Sequence, residues 1–261
     1  MTVAEFRDRL VEDPVILLPL GSHEEQGPHA PMGDDLLAED IALRAAKASG
    51  AIAAPCLPFG YAEFFRGYPG GIQLRVATFC AVIEDMVTSF LDHDIRRLLI
   101  VNGHSTNASL IDQALRGIRR KTGVAVASID LWRSIPDSLW SQIHGTGAGR
   151  ARGHGGDPVT SVSMYLRRAE MRPDLMRAAV PAQAMGLPTI GVTGVRFEGL
   201  PLNLPLDGHE LHPDGMLGGD PALASAEAGR LIVDHLTGHC ARLVAHLRQH
   251  DPRQLNAGAM T

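Results

Sequence analysis

The feature that most constrains this chain is a repeated pairing: a short run that is apolar on both faces, then a polar loop rich in glycine, then a helical stretch. VILLPLGS (15–22) runs into GSHEEQGPHAPMGDD (21–35), and a helical pattern follows over 34–46, where Leu37, Ile41 and Ala45 repeat every four residues. RRLLIVNGHSTN (96–107) repeats the arrangement, with a helix over 108–121 behind it. Strands apolar on both faces belong in a parallel sheet covered on both sides. Strand–helix alternation implies βαβ units with right-handed crossovers. AIAAPCLPFG (51–60) and GVAVASIDLW (123–132) are two further strand candidates. Helices are expected over 3–12, 78–94, from 160, and over 220–248 with Pro221 near the start and Asp34 as an N-cap at the head of the 34–46 helix. Residues 133–156 read as irregular, and 180–219 as a long Gly/Pro-rich loop with a short strand at most. No repeat or linker divides the chain. The expectation is a single α/β domain over 1–261, a mainly parallel sheet flanked by helices.

Composition narrows the function. Hydrophobic residues make up 45% of 261, enough for a sizeable core, and the formal net charge of -5 comes without a basic stripe, which argues against nucleic acid as partner. Cys56, Cys80 and Cys240 form no CxxC pair and no even framework, the usage of a reducing compartment. The N-terminus is charged and no run of about 18 apolar residues exists, so neither a signal peptide nor a membrane span is expected. The resulting expectation is a cytoplasmic protein.

In open α/β sheets, ligands sit beyond the carboxyl ends of the strands. The loop at 21–35 holds Glu24, Glu25, Gln26, His29, Asp34 and Asp35 among glycines and prolines that impose a bent backbone. Carboxylates and imidazole in such a loop are the ligands a hydrolytic Zn, Mn or Fe site uses; a solvated acidic loop with Asp34 as helix cap is the plainer alternative. Asn102, His104 and Asn107 follow the third strand, where a turn histidine is the alternative. GHGGDPVTS (153–161) carries His154 and Asp157, and alone reads as a flexible turn capping the next helix. There is no G-x-S-x-G, no P-loop and no G-x-G-x-x-G after a strand.

Taken in order, GSHEEQGPHAPMGDD, NGHSTN, HGGDPVTS and GGDPALASAEAG (218–229) resemble the signature loops of the creatininase family over about residues 15–230. That resemblance implies an α/β enzyme that hydrolyses amides, often cyclic ones, with one or two divalent metals, commonly as a homo-oligomer and often a hexamer. Carried over, Glu24, Asp35 and His104 match metal-ligand positions, and Asp157 matches an acidic position that is a further ligand candidate. His154 matches a histidine assigned to proton handling, and Glu25 is a nearby carboxylate able to share that work. The chain departs from the pattern at Gln26, where the family has a histidine for a second metal, at Ser105 and Thr106, at Val159 in place of glutamate, and at Phe64 in place of histidine. The implied reaction is metal-assisted attack of water on a small-molecule amide, with one tightly held ion per chain. The competing reading is a non-catalytic relative with a decayed metal site that binds a ligand or partner; Gln26 and Val159 favour it, and metal content discriminates.

Overall fold

A computed structural model describes residues 1–254; residues 255–261, the end of the expected domain, lie outside the described residues. The chain opens with helix α1 (Val3–Leu10), whose Thr2 and Glu5 form a capping box. It continues through β1 (Ile16–Leu20), α2 (Asp35–Ser49), β2 (Ile52–Ala53), α3 (Val76–Leu91), β3 (Leu98–Asn102), α4 (Ala108–Thr122) and β4 (Ala127–Asp130). Then come α5 (Asp137–His144), α6 (Ala148–Ala151) and α7 (Val159–Leu166). Two small hairpins follow, β5 (Gln183–Ala184) with β6 (Leu187–Pro188) and β7 (Gly194–Phe197) with β8 (Leu200–Asn203), and last α8 (Gly208–Leu211) and α9 (Ala226–Arg248).

The central sheet is parallel throughout, in the order β2-β1-β3-β4. Alternation along its strands divides the core. Val15, Leu17, Leu99 and Val101 pack with Leu37, Ile41, Ile232 and Leu236 of α2 and α9 on one face. Ile16, Leu18, Leu20 and Ile100 pack with Phe79, Ile83 and Ile111 of α3 and α4 on the other. Both faces are dry, which is why β1 and β3 are buried at every position. The expected α/β class, single domain and helix-flanked parallel sheet are all present.

The differences are local. The 51–60 run forms only two residues of strand, followed by an isolated bridge from Leu20 to Leu57, because Pro55 and Pro58 withhold ladder donors. The stretch read as irregular contains α5 and α6; Leu139, Trp140 and Ile143 supply a short apolar stripe, and Trp140 joins the core. The Gly/Pro-rich segment holds the two hairpins. Pro221 begins a 3₁₀ turn, and the cap of α9 is Ser225, whose side chain accepts from the Ala228 amide. Asp34 stands at the N-cap of α2 without a capping hydrogen bond; its carboxylate is engaged elsewhere.

Candidate metal centre and active site

The sheet order makes β1 and β3 the point where chain progression reverses, the place where open α/β sheets bind ligands. Leu20 of β1 pairs with Asn102 of β3, so the loops behind them leave the sheet side by side. Buried asparagines pin them. The Asn102 side chain donates to the His104 carbonyl (2.7 Å) and accepts from the His104 amide (3.1 Å), while Asn107 donates to the Gly21 carbonyl (3.1 Å) and accepts from the Tyr61 amide (2.9 Å).

This scaffold brings Glu24, Asp34 and His104 together. His104 Nδ1 lies 3.1 Å from Glu24 Oε1 and 2.9 Å from Asp34 Oδ2, and all three side chains are buried, at 1%, 2% and 5% exposure. One ligand atom from each lies within 4.8 Å of the others. The other Asp34 oxygen accepts from the Ser22 amide at 2.8 Å. Glu24 Oε2 is buried and has no hydrogen-bond partner. Two carboxylates removed from water, with one oxygen orphaned, are costly unless a cation balances them. The donor set of two oxygens and one imidazole nitrogen therefore fits a divalent ion.

The imidazole is oriented for the task. The Thr106 hydroxyl donates to the Tyr61 carbonyl (2.7 Å) and so has only its lone pairs left for His104 Nε2, 2.5 Å away. The Tyr61 carbonyl, 3.2 Å from the same nitrogen, is acceptor only. Nε2 must carry the proton, which leaves Nδ1 facing the carboxylates with its lone pair available to a metal. With no ion between them, burial disfavours a charged His104, but the fields of Glu24 and Asp34 outweigh it and hold its pKa well above 6.5. Burial also raises Asp34, against the opposing pull of His104.

The acidic partner in this cluster is Asp34, whereas the sequence pattern points to Asp35. Asp35 is the first residue of α2 and its side chain leaves on the other side, toward Gly33 and His23; a Cβ on Gly33 would collide with its Oδ1. Neighbouring side chains at a loop–helix junction diverge, so one carboxylate of the pair reaches the site and the other does not. Asp35 Oδ1 is itself buried without a partner.

Asp157 is also outside the cluster. Its Oδ1 accepts from the Ser161 amide (2.9 Å), and its Oδ2 from the Ser161 hydroxyl (2.8 Å) and His144 Nε2 (2.8 Å). Both oxygens are spent on anchoring α7 and α5. His144 was invisible as a site residue because the sequence around it offers no motif; only the fold of α5 brings it to Asp157.

His154 and Glu25 do meet: Nε2 lies 2.7 Å from Oε1, and the His154 ring stacks on Phe65 at 4.2 Å. Burial lowers His154, but Glu25 more than offsets this and raises its pKa above 6.5. Glu25 also accepts from the Gly27 amide (2.8 Å) and packs against Gly215 (φ 78°), where a Cβ would overlap the carboxylate. His154 lines the site cavity, and Glu25 is hydrogen-bonded to it from behind the cavity wall.

The cavity measures about 470 Å³. Glu24, Gln26, Asp34, His104 and His154 line it, with Phe64, Trp132, Trp140 and Ile190 among the apolar walls. Among the described residues, no helix is long and apolar enough to cross a membrane.

Known proteins resemble this chain in sequence and fold. The family model for creatininase, described as creatinine amidohydrolase, matches residues 1–244. Creatinine amidohydrolase of Pseudomonas putida is 31% identical over 182 residues, covering 64% of this chain and 70% of that protein. A 3-dehydro-scyllo-inosose hydrolase of Thermotoga maritima is 26% identical across 97% of this chain and 83% of its own length. A mycofactocin precursor peptide peptidase of Mycobacterium tuberculosis is 27% identical across 89% and 85%. Among solved structures, a manganese creatininase superposes with a TM-score of 0.77 at 27% identity, covering 94% of this chain and 96% of the other. A creatininase variant of Zn-Zn type gives 0.77 at 26% over 94% and 95%. These relatives are hydrolases, and the match spans the sheet, the loops at its carboxyl edge and the helices around it: the chain belongs to the creatininase family.

Proposed function

We propose that the protein is a metal-dependent amidohydrolase that cleaves a non-peptide C–N bond, a cyclic amide in particular, with one tightly held Zn, Mn or Fe ion per chain. The observation that carries this is the buried convergence of Glu24, Asp34 and His104 with an orphaned Glu24 oxygen at the floor of a cavity. An ion bound there would lower the pKa of a water toward neutrality and polarise a carbonyl oxygen. The rest is the work of the chain. The apolar walls, Phe64, Trp132, Trp140 and Ile190 among them, would flank a bound substrate and shield its reacting groups from part of the solvent. His154, whose pKa the adjacent Glu25 raises, would hand a proton to the departing nitrogen as general acid. The cavity, about 470 Å³ with His154 on one wall and hairpin-side residues such as Ile190 on another, is large enough for a compact cyclic amide. A screen of metal-loaded protein against cyclic and linear amides tests the reading. The active compound should lose about a hundredfold or more in kcat with His154→Gln at unchanged metal content. Turnover of no amide, or a His154→Gln enzyme as fast as wild type, overturns it.

We further propose a homo-oligomer, up to a hexamer. Phe197, Leu200 and Leu202 of the β7–β8 hairpin are more than half exposed, as is Met185 beside it, and apolar side chains so displayed gain from burial against another copy. Light scattering that finds only a 27.9 kDa species at micromolar concentration counts against it.

A further inference from the structure

Among the described residues lining the cavity, Arg152 is the only lysine or arginine. It stands on a hook of backbone that also carries His154. The Asp157 amide donates to the Ala151 carbonyl (2.8 Å), the Gly153 amide to the Asp157 carbonyl (3.1 Å) and the Gly156 amide to the Gly153 carbonyl (2.9 Å). Gly153 is pressed against the Gly218–Gly219 backbone, where no Cβ would fit. The backbone beneath Arg152 is therefore held from both sides. Its guanidinium carbon lies 4.8 Å from the ring centre of buried Trp140, a cation–π contact that holds the charge beside the cavity wall. Yet its hydrogen-bonding capacity is almost unused. Among the described residues its one side-chain bond runs from Nη1 to Asp137 Oδ1 at 3.3 Å, with the two side chains 46% and 93% exposed. So long and solvated a pair is worth little and is easily exchanged, and a guanidinium offers five donors in a planar fork suited to a carboxylate.

From this we infer that Arg152 is the specificity residue of the cavity, recognising an anionic group, a carboxylate, on the substrate whose amide is cut at Glu24, Asp34 and His104; this rests on the amidohydrolase reading above. The remaining walls, such as Phe64, Val159 and Leu217, are apolar and offer an anion no competing donor, while the Arg152 side chain, 46% exposed, stands at the mouth where a ligand can reach it. Once a divalent ion offsets Glu24 and Asp34, the lining presents no free carboxylate to oppose an anion at Arg152, because Asp157 is tied to His144 and Ser161.

The test needs no turnover. The chain has two tryptophans, Trp132 and Trp140, and both line the cavity, so intrinsic fluorescence reports ligands inside it. Zinc-loaded protein is titrated with glutaramate and with its neutral counterpart glutaramide. Wild type should favour glutaramate by about tenfold or more in Kd, as a charged bidentate contact predicts. Arg152→Gln should reduce that ratio to about twofold, and Arg152→Lys should keep part of it. A wild type with no preference overturns the inference. So does a preference unchanged in Arg152→Gln, which would place the carboxylate on the metal. If no amide is hydrolysed but the Arg152-dependent preference stands, the function reading fails and the anion site survives.

Discussion

Two of the histidine–carboxylate groups beside the cavity, Glu24–Asp34–His104 and Asp157–His144, are built from the same residue types, yet their balance of donors and acceptors differs. At Glu24, Asp34 and His104, two acids face one imidazole, and Glu24 Oε2 has no partner. At Asp157 and His144, one acid is saturated by the Ser161 amide, the Ser161 hydroxyl and the imidazole. Residue type does not separate them; the balance of donors and acceptors does. A surplus of buried acceptors calls for a metal, and a matched set is structural cement.

The sharpest break between the two groups comes from exchanging neighbours. Asp34→Asn should weaken zinc binding by about a hundredfold or more, the scale on which loss of a ligand or its immediate support is felt. Asp35→Asn, one residue along, should shift it only a few-fold. Competition with a chromogenic chelator measures both. The reverse order of effects would return Asp35 to the site and remove Asp34 from it.

That exchange also marks how far the sequence was legible. The sheet and its helices are readable because β1 and β3 are apolar at every position and α2 repeats at helical spacing. Glu24, His104, His154 and Glu25 are readable because motif-bearing loops follow those strands, and the structure places all four at or beside the cavity. The choice between Asp34 and Asp35 is not. It depends on which way two adjacent side chains point as the loop turns into α2, and the same Asp34 that looks like a helix cap gives its carboxylate to Ser22 and His104 instead. The partners of Asp157 are hidden in the sequence for a related reason. Its acidity is visible in the sequence, but the three donors that consume it come from residues 13 positions before and four after, brought together by α5 and α7.

Asp157 supplies the second test. Asp157→Ala should cost about 3 kcal/mol, since it strands a buried imidazole and a buried hydroxyl together. In a chain this long that lowers Tm by about 6–12 °C. Metal stoichiometry should stay unchanged in the folded variant. A thermal melt beside metal analysis separates the outcomes: a variant that melts normally but has lost its ion would make Asp157 a ligand and collapse the distinction between the two groups.

The smallest effect is expected at Gln26, and it asks whether the metal-binding group extends to a second ion. Gln26 is 3% exposed, and its amide nitrogen lies 3.3 Å from Glu24 Oε1, so as it stands it donates to a carboxylate. A second ion beside the first would need a lone pair at that place, and it would need an acid near Thr106, whose hydroxyl is already committed to Tyr61 and His104. Val159, on the cavity wall, offers no ligand either. Wild-type protein dialysed after loading should therefore retain about one ion per chain. Gln26→His restores an imidazole but not the missing carboxylates, so it should raise occupancy of a second position only at high free metal, by about tenfold in affinity and not to a tight site. The pair Gln26→His and Thr106→Glu should do more than either change alone, because ligands of one ion act together. Two ions retained by wild type would show that the Gln26 amide turns its oxygen inward and ligates. No ion retained by protein loaded with Zn or Mn would favour a scaffold whose metal chemistry has decayed.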